Sequence, residues 1–165
     1  MGHLPMSLRL ETERLVLTPE VPSDAGWFVE LLNQRGVGTF TEDDALQRIE
    51  LMTGTIATTG IGALVLRRRS DGAALGYVGL VVGRCSLDEP ELAYELLPTF
   101  HGQGYATEAS RVMVDAAFGT GRSRIWATIG RWNAPSLRVA EKIGFRRDHA
   151  TIESDREVVW MVIDR

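Results

Sequence analysis

Gly102 and Gly104 stand one residue apart in the run His101-Gly-Gln-Gly-Tyr-Ala-Thr107, between a strand-like segment and a helix-like one. With no Cβ at either glycine, successive backbone N–H groups can converge on an anion at a helix start, where unpaired donors and the macrodipole both favour negative charge. Pyrophosphate is the natural guest of such a turn. A lone G-x-G is also an ordinary tight connection, and neither nucleotide fingerprint completes it. There is no G-x-x-x-x-G-K-[ST], and the third position after Gly104 is Thr107 rather than glycine.

Two further sets of side chains flank this turn. Glu91 and Glu95 lie four apart in the alternating segment that ends at Pro98, so they share one strand face, and either could take a proton from an amine, directly or through water. Plain solvent exposure explains both equally well. Downstream, Asn133 suits a helix N-cap, Pro135 is tolerated in the first turn, Lys142 falls in the last, and Gly144 can take the left-handed position beyond it. A capping Asn requires no ligand. His101 and His149 have no partners at catalytic or metal spacing, and no metal-ligand set is expected.

In this order, His101-Gly-Gln-Gly-Tyr-Ala-Thr-Glu-Ala109 and Asn133-Ala-Pro-Ser-Leu-Arg-Val-Ala-Glu-Lys-Ile-Gly-Phe145, separated by one helix and one strand, resemble the GNAT superfamily of CoA-dependent N-acetyltransferases. The chain is most similar to the Rim-type branch, which acetylates N-terminal amines of ribosomal proteins. The opening Glu11-Thr-Glu-Arg-Leu-Val-Leu17 resembles that branch's first strand, so the likeness spans most of residues 8 to 163. It implies acetyl-CoA as co-substrate, its pyrophosphate on Gly102, Gln103, Gly104, Tyr105, Ala106 and Thr107, and its pantetheine arm along the fourth strand near Leu96 and Leu97, with Asn133 and Ser136 also in contact.

Two departures matter. The family's phosphate loop usually opens with Arg or Gln where this chain has His101, and the tyrosine that many members use as general acid is replaced by Ala140. In the Rim-type branch a serine early in the same helix is the proposed substitute, and Ser136 matches it. Asn133, Ser136 and Ala140 share a helix face, so Ser136 could occupy the tyrosine's space and donate a hydrogen bond to the leaving thiolate. An α-amine, with a pKa of about 7.7 to 8, is partly neutral at cellular pH, whereas lysine at about 10.4 needs more help, so a chain without an obvious buried base suits α-amines. The expected reaction is direct attack of such an amine on the thioester in a ternary complex, with Ser136 and Glu91 or Glu95 as catalytic residues. A small cationic acceptor (aminoglycoside or polyamine) and a non-catalytic CoA-binding module are the alternatives.

The elements that must hold these residues can be read coarsely. A strand near 7 to 17 precedes two amphipathic helices, the first capped by Ser23 and the second by Thr41 with Asp44. Strands near 61 to 69 and 73 to 82 form a hairpin around Asp71-Gly72, and strands near 145 to 152 and 157 to 163 close the chain. The result is an α/β fold of the α+β type: one domain over residues 7–165, with a mixed sheet of about seven strands splayed between the fourth and fifth, and about four helices. Residues 1–6 read as an unstructured start or a cloning remnant.

At 165 residues, 44% apolar and 24% charged, the chain can build one core. A net charge of −4 argues against nucleic acid, and Arg67-Arg68-Arg69 reads as a solvated strand end. The single cysteine, Cys85, fits a reducing compartment, and no apolar run reaches the length of a membrane span, so cytoplasm is expected. The chain is expected to act alone or as a homodimer, with no nucleic-acid or membrane partner.

Overall fold

A computed structural model describes residues 2–165. Its sheet has eight strands: β1 (Leu10–Glu11), β2 (Leu15–Pro19), β3 (Ala63–Arg68), β4 (Ala74–Val81), β5 (Glu91–Leu96), β6 (Arg124–Gly130), β7 (Arg146–Glu153) and β8 (Arg156–Asp164). Their spatial order is β1-β2-β3-β4-β5-β6-β8-β7, antiparallel throughout except for the single parallel junction of β5 with β6. The helices are α1 (Ala25–Gln34), α2 (Glu42–Thr59), α3 (Tyr105–Gly119) and α4 (Ala134–Lys142). This is the expected mixed α/β domain with four helices.

The extra strand arises where one continuous strand was expected near 7 to 17. Glu108, in the first turn of α3, accepts hydrogen bonds from the Thr12 hydroxyl, the Arg14 backbone N–H and the Arg14 guanidinium. Those bonds hold residues 12 to 14 in a turn and split the strand into β1 and β2. What the alternation treats as the fourth and fifth strands are therefore β5 and β6. Residues 2–6, expected as unstructured, are docked: the Leu4 N–H donates to Thr120, the Met6 N–H donates to Gly60, and the Met6 side chain is buried. Met1 lies outside the described residues.

Local signals account for most helix ends. Thr41 and Asp44 form a reciprocal capping box on α2, which ends at Gly60 in the left-handed region with φ 77°. Asn133 accepts from the Ser136 N–H at the start of α4. Ser23 does not cap α1. That end is held by Asp24, whose carboxylate accepts from the Val21 N–H and the Trp27 indole and pairs with Arg67 on β3.

The sheet's two faces carry different loads. Leu80, Leu92, Ile125, Ala127 and Met161 point to the α3 and α4 side and share one core with Ala109, Met113, Leu137 and Ala140. On the opposite face α1 and α2 form a smaller cluster around Phe28, Leu31, Leu32 and Ile49, packed against Tyr77 and Leu97. The β6, β8 and β7 half of that face carries Trp126, Trp160 and His149 in mutual ring contact instead of a helix.

Glu20, just beyond β2, is 8% exposed, and its Oε2 has no hydrogen-bond partner among the described residues. Burial, with the Asp24 charge adding to it, pushes its carboxyl up from 4.5 to about 7. Between those two values the unfolded chain ionises while the folded one keeps its proton, so stability falls as pH rises through this window and levels off above it. Replacing Glu20 with Gln is expected to leave stability nearly unchanged at about pH 4 and to raise it by about 2 to 3 kcal/mol at about pH 8. Urea-unfolding midpoints of the two proteins at the two pH values measure this, and parallel pH curves would contradict it.

Candidate active site

β5 and β6 run side by side but pair in register only at Glu91 and Trp126, with the Trp126 N–H donating to Pro90. Beyond that point they diverge, leaving a cleft between Glu95 and Leu96 on one wall and Thr128 to Gly130 on the other. Pro98 opens a single 3-10 turn after β5, and the chain then enters the glycine loop and α3. Gly102 and Gly104 have φ of 72° and 82°, a region costly for other residues. Nothing lies within 4 Å of a Cβ built on Gly102. The backbone N–H groups of residues 102 to 107 make no hydrogen bond within the described residues. They form an unpaired donor cradle at the N-terminus of a 15-residue helix, which fits a pyrophosphate.

The loop is braced from behind. Arg14 donates to the Gln103 carbonyl at 2.9 Å, stacks over Tyr105 at 4.2 Å from the ring centre, and is ion-paired with Glu108 at 2.8 Å. The Glu108 pair raises the already basic Arg14 further. His101 turns back onto the strand, its Nε2 2.9 Å from the Leu96 carbonyl, and Gln103 donates to the Thr99 carbonyl. Leu97 has little left to offer a cofactor: its N–H donates to Leu75, its carbonyl accepts from Phe100, and its side chain is buried with α1 and α2.

Across the cleft, α4 presents Ser136. Its carbonyl accepts the Tyr94 hydroxyl at 2.7 Å, a bond from β5 that spans the splay. The Ser136 hydroxyl itself has no partner among the described residues. Asn133 uses its side-chain oxygen for the Ser136 N–H at 3.3 Å, which leaves its amide N–H₂ unengaged. Burial pushes the Tyr94 phenol upward. Tyr94 escapes a reading of the motifs because it sits on the strand face away from the two glutamates, yet the same alternation aims it at the helices.

The two glutamates part company. Glu91 is 8% exposed at the closed end of the splay. Its carboxylate accepts from Thr128, the Arg84 N–H and the Cys85 thiol, and it fills the space beside Gly83, where a Cβ would sit 2.5 Å from the carboxyl carbon. Burial, with Glu91 behind it, pushes the Cys85 thiol up to about 12, so Cys85 is a hydrogen-bond donor rather than a nucleophile. Glu95 faces the open end. Arg35, at the end of α1, donates its Nε–H to both Glu95 oxygens at 2.9 and 3.0 Å and reaches toward the Tyr77 hydroxyl. Burial, with the Glu95 charge beside it, pushes Tyr77 up to about 12.

A family model described as an acetyltransferase (GNAT) domain matches residues 14–146, which include the donor cradle at the start of α3 and the two parallel strands that part after one pair. The chain belongs to the GNAT acetyltransferase family. A GnaT-family acetyltransferase from Bordetella pertussis is 28% identical, covering 94% of this chain and 99% of its own, with a TM-score of 0.81. Two more distant structures share the fold. One, described as a ribosomal-protein-serine acetyltransferase from Vibrio cholerae, has 16% identity, covers 98% of this chain and 100% of its own, and has a TM-score of 0.80. The other, a spermidine N-acetyltransferase from Vibrio cholerae, has 18% identity, covers 93% and 95%, and has a TM-score of 0.76. A search of curated proteins finds no match. The chain is thus an acyl-CoA-dependent N-acetyltransferase, and no helix among the described residues is long and apolar enough to cross a membrane.

Replacing Gly104 with Val puts a branched side chain where φ is 82° and where the unpaired N–H groups of the loop converge. CoA affinity measured by calorimetry is expected to fall at least about tenfold in the folded variant, since even one lost charge-assisted hydrogen bond is worth about 1.5 to 3 kcal/mol. Unchanged affinity would remove the loop from the cofactor site.

Proposed function

We propose that this Rim-type enzyme acetylates the N-terminal α-amine of a polypeptide, by direct attack on acetyl-CoA in a ternary complex. The observation that carries the reading is the state of the carboxylates facing the open side of the cleft. Glu95 is bound by Arg35, Glu91 by Thr128 and the Arg84 backbone N–H, and Glu153 by the Arg84 guanidinium. A polycation entering here finds these three carboxylates already paired, whereas a single amine on an otherwise neutral chain needs only one of them. The lone Cys85 thiol fits a reducing compartment such as the cytoplasm.

Acetyl-CoA supplies an acyl group activated as a thioester. The N–H groups of residues 102 to 107 would hold its pyrophosphate, with the Asn133 N–H₂ and the diverging edge of β5 at Leu96 along its pantetheine arm. His101, already on the Leu96 carbonyl, would compete with a pantetheine amide there. On the acceptor side Glu95 would receive the amine's proton, and of the two glutamates it is the one at the open end. On the thiolate side the unpartnered Ser136 hydroxyl would donate a hydrogen bond to sulfur, while Tyr94 holds the first turn of α4 in place. Serine is too weak an acid to protonate a thiolate outright, so its contribution is electrostatic.

Ser136→Ala is expected to lower kcat by about ten- to a hundredfold with little change in acetyl-CoA affinity, a hydrogen bond to a charged group being worth about 1.5 to 3 kcal/mol. Glu95→Gln should reduce kcat/KM most at low pH, where the amine is mainly protonated, and least at high pH. Glu91→Gln should instead lower thermal stability. Thiol release from acetyl-CoA with peptide and polyamine acceptors, followed across pH, reads all of these, and turnover with spermidine but with no peptide would overturn the proposal.

A further inference from the structure

Three of the chain's four tryptophans lie on the half of the sheet that no helix covers. Trp126 and Trp160 are partly buried against each other and His149, but Trp132 is 72% exposed. Its position follows from strand parity. Ile125, Ala127 and Ile129 point into the α3 and α4 core, so the alternate positions of β6, ending at Gly130, point to the opposite face. The Trp132 indole folds back over that face, because a Cβ built on Gly130 would lie 2.4 Å from its Nε1.

Register places this indole against the acceptor side of the cleft. Glu91 stands opposite Trp126, and four residues further along each strand stand Glu95 and Gly130. The exposed ring is therefore level with Glu95 across the splay, and on the sheet face away from α3 and α4. An acceptor whose amine reaches Glu95 has Gly130 and Trp132 on the other wall of the splay for its following residues. The acid that β7 carries on this face, Glu153, is paired with Arg84 at 2.7 Å. The surface thus offers an aromatic face on which the one β7 acid is already paired, which suits peptide planes and apolar side chains rather than a polycation.

We infer that Trp132 is a specificity-determining residue that packs on the second and third residues of the acceptor polypeptide while its α-amine sits at Glu95. The inference rests on the reading of the enzyme as an α-amine acetyltransferase and adds a requirement for chain length. The wild type should acetylate a neutral hexapeptide with a kcat/KM at least about tenfold above that for alaninamide, which ends before reaching the ring. Trp132→Ala should remove that advantage through KM, with acetyl-CoA affinity and the alaninamide rate within about twofold of wild type. Trp132→Phe should restore most of it, an aromatic anchor being what the site needs.

Each contrary outcome is distinct. Acetylation of neither hexapeptide nor alaninamide by the wild type would sink the parent reading. Peptide acetylation without length dependence, or with equal loss for both acceptors in Trp132→Ala, would sink this one alone. A fall in acetyl-CoA affinity would reassign the ring to the cofactor, and a dimer that becomes a monomer on sedimentation of Trp132→Ala would reassign it to a second copy of the chain.

Discussion

Parallel strands normally continue pairing to their ends, because an unpaired backbone edge inside a sheet forfeits hydrogen bonds that water replaces only where it can reach. Here β5 and β6 stop after Glu91 and Trp126, and the rest of the molecule is arranged around that interruption. At the closed end Glu91 is clamped by Thr128, Arg84 and Cys85, which locks the β4–β5 connection onto β6. At the open end Tyr94 reaches across to the Ser136 carbonyl. Between them lies a slot whose walls carry free backbone groups, and a ligand rich in amides and phosphates is what those groups can satisfy.

The slot is held open by cores on both sides. Ile125, Ala127 and Ile129 fix β6 to α3 and α4, while β5 is fixed through Leu92 on one face and through Leu97, buried with α1 and α2, on the other. Neither strand can close on the other without unpacking its own helices, and burying one such side chain is worth roughly 1.5 to 3 kcal/mol. Leu97 therefore holds one wall of the cleft in place without facing into it. The Arg14–Glu108 pair does the same for the glycine loop, tying β2 to the first turn of α3 so that the unpaired N–H groups point outward in a fixed arrangement before any ligand arrives.

What could be read from the sequence is what local chemistry determines. Gly102 and Gly104 announce a left-handed turn, Asn133 and Thr41 announce caps, and alternation in Glu91 to Leu96 places both glutamates on one face; all of these need only neighbours within a few residues. Alternation cannot say where along the strand the splay begins, and that decides between Glu91 and Glu95. Arg35 lies 60 residues from the carboxylate it binds, and Glu108 lies 94 residues from the Arg14 that it turns. The α1 cap shows the limit most clearly. Ser23 and Asp24 are both good capping types, yet neither side chain caps α1, and the Asp24 carboxylate turns instead to the Val21 N–H, the Trp27 indole and Arg67, 43 residues away on β3.

Acceptor recognition is where this limit is most severe, since the residues around the open cleft come from α1, β4, β5, the turn after β6 and the β7–β8 hairpin, and none of them forms a motif with its neighbours. Their charges nevertheless obey a simple constraint. A carboxylate left bare beside the cleft would bind any cation in the cell, and one buried without a partner would be costly, as Glu20 is. Arg35 on Glu95 avoids both, since its guanidinium occupies the carboxylate at the open end of the cleft. A partly exposed cation–carboxylate pair contributes little to stability, so such a pair exchanges at little cost, and under the proposed function the energy that selects the acceptor comes from contacts beyond the amine.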